Sequence, residues 1–538
     1  NWPFEELVVR NLGWSADTPG LQPRPLDFGS LEQHLARLEV DTIFACFGTN
    51  EAFAGPAGLA DFEAELEAFV ERVEARKLGG EGKPALLLVS PIHHEELGGR
   101  LPGADLVAEH NRNLDAYAGV LREVAERRGL RFVDLLGPTR AHAAAGGAPL
   151  TPNGIHLSDF GQAEVARMLA EDLGFADAAE HATDALRAAV DQKNLWWWHR
   201  HRAVNGYYIY GGRKDPFGTL SFPGEMARFD ALVARLDEVI WSAPFADLEV
   251  RDPRGMVDPE VLAGLPPLPT IETNYRAPIE HLSPAEATER FTLAEGYRIE
   301  CFASEVDFPE LENPVAMAFD GRGRLWVSTM PTYPQVLPGT PPDDRLLILE
   351  DTDGDGRADT STTFARGLHL AAGFELGDGG AYVAEQPNLL FLADADGDDV
   401  ADTRELRLHG FGTEDSHHAL SAFTWGPGGG LYFQEGTFHH TQVETPWGPV
   451  RVKDGAVFRY EPGAERLRVH TPFGFWNPWG HVFDSWGRDF IGDASDGNNY
   501  LAAPMMTDKS YDRYRRGLEP FQVDRVRPTG GAGILTGP

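Results

Sequence analysis

The stretch Leu150-Thr151-Pro152-Asn153-Gly154-Ile155-His156-Leu157-Ser158-Asp159-Phe160-Gly161-Gln162 decides how the first part of this 538-residue chain is read. Pro152-Asn153-Gly154 is turn chemistry, and Ser158 or Asp159 can cap a helix that starts directly afterwards. His156 is therefore expected on a short loop at the rim of a sheet, where a general base belongs. A lone loop histidine is more often a solvated surface residue. Its meaning depends on what precedes it.

Upstream, Glu6-Leu7-Val8-Val9, Asp41 to Phe47, Ala85 to Val89 and Leu130 to Leu135 read as strands. Between them Phe62, Leu66, Phe69, Val70 and Val73 keep a helical stripe, as do Val107, Leu114, Tyr117, Leu121 and Val124. Such alternation predicts a parallel sheet with helices on both faces, which binds ligands beyond the carboxyl ends of its strands. Three stretches fall there: Arg10 to Thr18, Phe47-Gly48-Thr49-Asn50-Glu51-Ala52-Phe53, and Asn153 to His156. A glycine N–H, an asparagine amide and a histidine on one rim suit an oxyanion hole and a base. Ser15 is the nearest hydroxyl, without the surroundings of a nucleophile elbow. Pro91-Ile92-His93-His94-Glu95-Glu96 has metal-site composition but reads first as a polar loop lining the cleft rim.

In this order the set resembles the SGNH (GDSL-type) hydrolase family. Gly13 resembles the glycine of its second block, and Gly48-Thr49-Asn50-Glu51 its third block, G-x-N-D, with Glu for Asp. Asn153-Gly154-Ile155-His156 resembles the fifth block, D-x-x-H. The resemblance implies a flavodoxin-like α/β sheet, with Gly13 and Asn50 as oxyanion donors and His156 as the base that activates a serine. Two positions depart from the pattern. The serine-bearing first block would precede Asn1, and Asn153 stands where the family has an aspartate. An amide orients the ring but cannot stabilise an imidazolium by charge. The same exchange in a related triad lowers turnover by about four orders of magnitude.

The chain carries 83 acidic and 47 basic residues, a formal net charge of -36, which argues against a nucleic-acid binder, since that needs a basic stripe. It argues equally against an anionic membrane surface, and no apolar run approaches the length that spans a bilayer. Cys46 and Cys301 are the two cysteines; Cys46, in an apolar run, is expected as a buried free thiol. No C-x-x-C-H is present, so covalent haem has no attachment point on these residues. The chain reads as a fragment at both ends, with a first domain over 1–180, a connector over 181–290 and a last domain over 291–538.

Gln192 to Arg202, with three consecutive tryptophans, and Asn205 to Arg213 form the most aromatic part of the connector. Two readings are open, a sugar- or cofactor-facing surface with arginines over rings or a seam between two bodies. Met226, Phe229, Leu232, Val233, Leu236, Val239 and Ile240 then make an amphipathic helix, and 244–284 is a proline-rich linker.

The last part repeats a strand-turn-strand unit at Pro314 to Val327, Ala372 to Ala384, Ala419 to Gln434 and Pro478 to Gly492. Repetition of that kind predicts an all-β propeller, here incomplete. Two acidic loops match: Asp351, Asp353, Asp355 and Asp359, then Asp394, Asp396, Asp398 and Asp402, at positions 1, 3, 5 and 9. Oxygen-rich spacing with glycine turns suits calcium, and Thr362 at position 12 of the first loop rules out an EF-hand. His369, His417, His418, His439, His440 and His481 are expected near loop ends around the channel, where a redox-cofactor or metal site is open as a reading.

This half resembles glucose/sorbosone dehydrogenase propellers, which implies pyrroloquinoline quinone and a histidine base, with no residue-by-residue match. The whole order resembles the planctomycete membrane-bound dehydrogenase and haem-binding C-x-x-C-H proteins. That resemblance implies export to the periplasm, cell surface or medium, and a haem c beyond this chain's C-terminus as electron acceptor. Two functions stay open. One is a sugar or alcohol dehydrogenase; the other is a carbohydrate esterase or carbohydrate-binding protein with a calcium-braced scaffold.

Overall fold

Ser30 and Gln33 form a capping box that opens α1 (Leu31–Arg37). The computed structural model describes residues 7–75, 84–175, 183–211, 222–242, 252–268, 281–495, 497–502, 518–521, 531, 533 and 534. After α1 come β1 (Thr42–Cys46), α2 (Leu59–Glu74), β2 (Ala85–Val89), α3 (Ala104–Arg128), β3 (Arg131–Val133), α4 (Leu136–Ala144) and α5 (Asp159–Asp172). The strands pair in parallel in the order β1-β2-β3. Phe62, Leu66 and Phe69 of α2 and Leu114, Tyr117 and Leu121 of α3 pack on one face. Val165 and Met168 of α5 meet Leu87, Val89 and Val133 on the other. Cover on both faces is why β2 is an unbroken apolar run. Ser158 caps α5 through the Gly161 N–H. A Cβ at Gly161 would lie 1.9 Å from the Leu150 carbonyl oxygen, so only glycine lets α5 start this close to the histidine turn.

Two expectations are corrected. Leu7, Val8 and Val9 form no strand; Glu6 lies outside the described residues. These residues are exposed, and connector side chains take their carbonyls, Lys193 Nζ at 3.0 Å from that of Val9 and Trp241 Nε1 at 3.1 Å from that of Leu7. Cys46 is a free thiol but an exposed one. Among the described residues β1 is an edge strand, and its Phe44 and Cys46 point away from the α2/α3 core, beyond the reach of α5.

The connector holds α6 (Asp184–His201), α7 (Gly206–Ile209) and α8 (Phe222–Ser242). Trp196 and Trp197 bury against Met226, Phe229 and Leu232 of α8. Trp197 Nε1 donates to the Asn11 carbonyl at 2.7 Å, and the Arg202 guanidinium lies over Trp14. The aromatic stretch is thus a seam, as one of its two readings had it; Gly212 and Arg213 lie outside the described residues. Of the expected linker, the described parts contain α9 (Pro259–Leu262) and the start of α10 (Pro284–Glu289).

Among the described residues the all-β part forms four propeller blades. Blade one is β4 (Pro314–Phe319), β5 (Leu325–Thr329), β6 (Asp344–Glu350) and β7 (Thr360–Leu368). Blade two is β8 (Phe374–Gly377), β9 (Gly380–Glu385), β10 (Asn388–Ala393) and β11 (Thr403–His409). Blade three has β12 (Ser421–Trp425) and β13 (Leu431–Glu435), then an inserted hairpin, β14 (His440–Val443) and β15 (Val450–Lys453), then β16 (Ala456–Glu461) and β17 (Arg466–Thr471). Blade four is β18 (Pro478–Phe483), β19 (Asp489–Asp493) and β20 (Asn498–Leu501). All four repeats read from the sequence are first hairpins of blades. Apolar cores between neighbouring blades join them, Phe364 against Phe374 and Val383, then Phe391 against Phe433 and Phe458, then Val457 against Phe475 and Tyr500.

Candidate functional site

The three strand-end stretches meet, but they meet around a residue of the propeller. Glu444, in the turn of the β14–β15 hairpin, places Oε1 2.9 Å from Ala16 N and 2.7 Å from Asn50 Nδ2. Its Oε2 lies 3.4 Å from His156 Nε2. Two N–H donors on one oxygen form the geometry of an oxyanion hole. Burial works against the charge of Glu444, but His156, Asn50 and the Ala16 N–H outweigh it and hold its pKa down to about 2.

Asn153 and His156 fix the ring between them. Asn153 Oδ1 accepts from Ile155 N at 3.3 Å and His156 N at 3.1 Å, so Nδ2 is the atom 3.0 Å from His156 Nδ1. An amide nitrogen only donates. Nδ1 must accept, and the neutral ring carries its proton on Nε2, aimed at Glu444. An aspartate would set the opposite tautomer, with Nε2 free to take a proton.

Of the four residues read as catalytic, Asn50, Asn153 and His156 converge and Gly13 does not: its N–H goes to Asn11 Oδ1 at 2.9 Å. Ala16 supplies the second donor instead. It sits at φ +54° in a turn closed by Asp17 N to the Trp14 carbonyl at 3.2 Å, which no glycine pattern announces. Ser15 Oγ donates to the His409 carbonyl at 3.2 Å. Burial pushes the Glu51 carboxyl up to about 7 although it accepts from Gly48 N.

In the His93 to Glu96 loop, His94 and Glu95 are buried supports, whereas His93 is half-buried and Glu96 is exposed as expected of a polar rim. Glu95 accepts from Leu150 N at 3.0 Å and Thr151 N at 2.8 Å, and its own N–H donates to the Gly154 carbonyl at 3.0 Å. His94 Nδ1 lies 2.9 Å from His110 Nδ1, and burial lowers both rings, to about 3 and about 4. A Cβ on Gly154 (φ +102°) would lie 2.9 Å from the Glu95 carbonyl oxygen, so this loop dictates the shape of the histidine turn. A separate cavity of about 370 Å³, lined among others by Arg24, Phe28, Arg72 and His201, touches none of Ala16, Asn50 and His156.

The acidic loops join β6 to β7 and β10 to β11, the same place in two blades. Carboxylates of Asp351, Asp353 and Asp359 converge within 4.8 Å of one another, as do those of Asp394, Asp396 and Asp398. Asp355 and Asp402 stand outside these two groups; Asp402 Oδ2 accepts from Ala395 N at 2.7 Å. Repulsion from Asp398 and Asp402 raises the Asp396 pKa, a strain that a bound cation relieves. The donor set, all oxygen, fits calcium.

His417, His418, His439 and His440 gather on one face of the propeller, while His369 packs on His199 of α6 with ring centroids 5.4 Å apart. His481 is the exception: it lies within β18 and pairs with Asp489 at 3.3 Å. Glu414 accepts from His440 Nδ1 at 2.9 Å and His439 Nδ1 at 3.2 Å, all on buried or half-buried side chains. Burial opposes charge on both partners, but their hydrogen bonds hold Glu414 well below the usual range and raise His439. Burial pushes Glu435 up to about 7.

Pyrroloquinoline quinone carries three carboxylates and needs cationic partners in an open channel. This face sets the carboxylates of Glu414, Asp415 and Glu435 against its histidines, and the connector covers much of it while His417 stays exposed. Tyr207 stacks on Phe438 at 4.0 Å and donates its N–H to the Glu414 carbonyl at 2.8 Å. Asn205 ties Ser416 N at 2.8 Å to the Pro334 carbonyl at 3.1 Å. These residues do not fit a quinone anion.

Comparison with known proteins divides the chain in the same way. Residues 4–164 match the family described as GDSL-like Lipase/Acylhydrolase, and residues 283–528 match Domain of unknown function (DUF7133). The N-terminal part is therefore a GDSL-like domain, followed by a propeller. Among solved structures, a catalytic mutant of an acetylxylan esterase from Geobacillus stearothermophilus is similar at 21% identity and TM-score 0.22, over 27% of this chain and 64% of that one. The PQQ domain of a pyranose dehydrogenase from Coprinopsis cinerea is similar at 13% identity and TM-score 0.28, over 41% of this chain and 53% of that one. The chain thus spans less than two thirds of either. No curated protein matches it.

Proposed function

We propose that the GDSL-like domain of this chain is a non-hydrolytic binding domain, joined to a calcium-braced propeller in an assembly that handles ester-bearing or carbohydrate ligands. One observation carries this reading: Asn153 donates to His156 Nδ1, so the neutral ring has no lone pair at Nε2 with which to take a proton from a serine. The ligand class rests on the GDSL-like match over residues 4–164. Calcium rests on the converging carboxylates of the two blade loops. Acetyl-ester turnover by the chain and by H156A tests the reading. The two are expected to be equal and at background; turnover that H156A abolishes overturns it.

A second reading keeps chemistry in the propeller, supported by the buried His439–Glu414 pair beside Glu435. In it a sugar or alcohol is oxidised by two electrons outside the cytoplasm, two oxidised haem c groups of a partner each taking one electron, and the two protons leave through the His439–Glu414 pair. Sugar-dependent reduction of a dye, lost in H439A, is its test.

A further inference from the structure

Every contact that holds Glu444 is one that a free carboxylate would make. Ala16 N and Asn50 Nδ2 share one oxygen, and His156 Nε2 faces the other. An ester would use only the first pair, because its alkoxy oxygen is a poor acceptor for the third donor. A carboxylate satisfies all three. The site therefore discriminates towards the acid.

Glu444 does not reach this site by accident of packing. It rides on the β14–β15 hairpin, inserted between the second and third strands of blade three, where blade two has only Gln386-Pro387. The hairpin is braced on the GDSL-like domain. Arg451 Nη2 donates to the Ala16 carbonyl at 2.7 Å, and Gln442 Nε2 lies 3.4 Å from the Ser15 carbonyl. Gly448, at φ +110°, passes so close to Phe53 that an added Cβ would lie 3.4 Å from the ring. The propeller thus carries a ligand into the site on a dedicated finger.

We infer that the GDSL-like site is a carboxylate receptor, filled within the chain by Glu444 and open to a carboxylate-bearing ligand when the Glu444 side chain turns out of it. The inference rests on the non-hydrolytic reading above and names its ligand chemistry. A small free acid and a uronic acid residue of a polysaccharide share that chemistry. A tethered group competes at an effective concentration of about millimolar, so the wild-type site resists free acids.

The test is thermal unfolding and ligand-observed NMR on the whole chain and on E444A, with acetate, glucuronate, acetamide and glucose. E444A is expected to bind the two acids saturably, at concentrations about tenfold or more below any that affect the wild type, and to ignore acetamide and glucose. A response to acetate alone assigns a small acid; a tighter response to glucuronate assigns the sugar acid. H156A/E444A is expected to lose the response. If E444A folds poorly, E444Q, which keeps the side-chain shape, is titrated in its place and is expected to respond between E444A and wild type. E444A or E444Q indifferent to acids, or equally responsive to acetamide, overturns the inference and leaves the non-hydrolytic reading standing. Turnover abolished in H156A overturns that reading instead.

Discussion

Asn153 Nδ2 lies 3.0 Å from His156 Nδ1, and this contact decides which ring nitrogen carries the proton. It turns a residue at the place of a general base into a hydrogen-bond donor, and the acceptor it faces belongs to another domain, 288 residues away in sequence.

Replacing that donor should reverse its effect. In N153D a carboxylate faces Nδ1, which then carries a proton, while Glu444 still accepts at Nε2. Nitrogen-15 shifts of the His156 ring show which nitrogen is protonated in each protein. A bare Nδ1 in N153D contradicts the contact.

Glu444 should stabilise the protein in a defined pH window. Its folded pKa, about 2, lies below the ordinary 4.5, so its contribution is full above pH 4.5 and lost as pH falls through about 2. E444Q is expected to cost about 2 kcal/mol near neutrality, as for a charge-assisted hydrogen bond. Denaturant unfolding of both proteins, compared pH by pH, should show the difference vanish towards pH 2.

Glu435 should behave in the opposite sense. Its folded pKa is raised from 4.5 to about 7, so the buried carboxyl favours folding below pH 4.5, and that benefit is lost as pH rises through 7. E435Q, a neutral isostere, is expected to be the more stable protein above pH 7 and to lose that advantage in acid. Thermal unfolding on both sides of pH 7 checks it; a destabilised E435Q at alkaline pH contradicts it.

Calcium should raise thermal stability through the blade loops. At a hundredfold excess over Kd, one site adds about 2.7 kcal/mol. Calorimetry with calcium and with a chelator should show the gain, and D353N or D396N should each remove part of it. Equal stabilisation by magnesium, which demands tighter octahedral geometry, would contradict the assignment.

Much of this fold was legible because its signals are local. The hairpins at Ala372 to Ala384 and Ala419 to Gln434 repeat a strand-turn unit, and Ser158 announces the helix behind His156. The site was legible where it is made of loops after strands, at Asn50 and Asn153 to His156. It was illegible where tertiary contact decides. Ala16 donates because its turn forces a positive φ on an alanine, whereas pattern reading selects the nearby Gly13. Glu444 is one acid among 83, and only docking of the finger gives it meaning. Glu6 to Val9 has a strand's composition, but Leu7 and Val9 give their carbonyls to Trp241 and Lys193.

The most direct measurement is the tautomer of His156 in histidine-labelled protein, at a pH well above the ordinary imidazole value of about 6.5. An unprotonated Nδ1 and a protonated Nε2 are expected, with the Nε2 shift altered in E444Q and the assignment fixed by H156A. A protonated Nδ1 with a bare Nε2 would contradict this and return the ring to the role of a base.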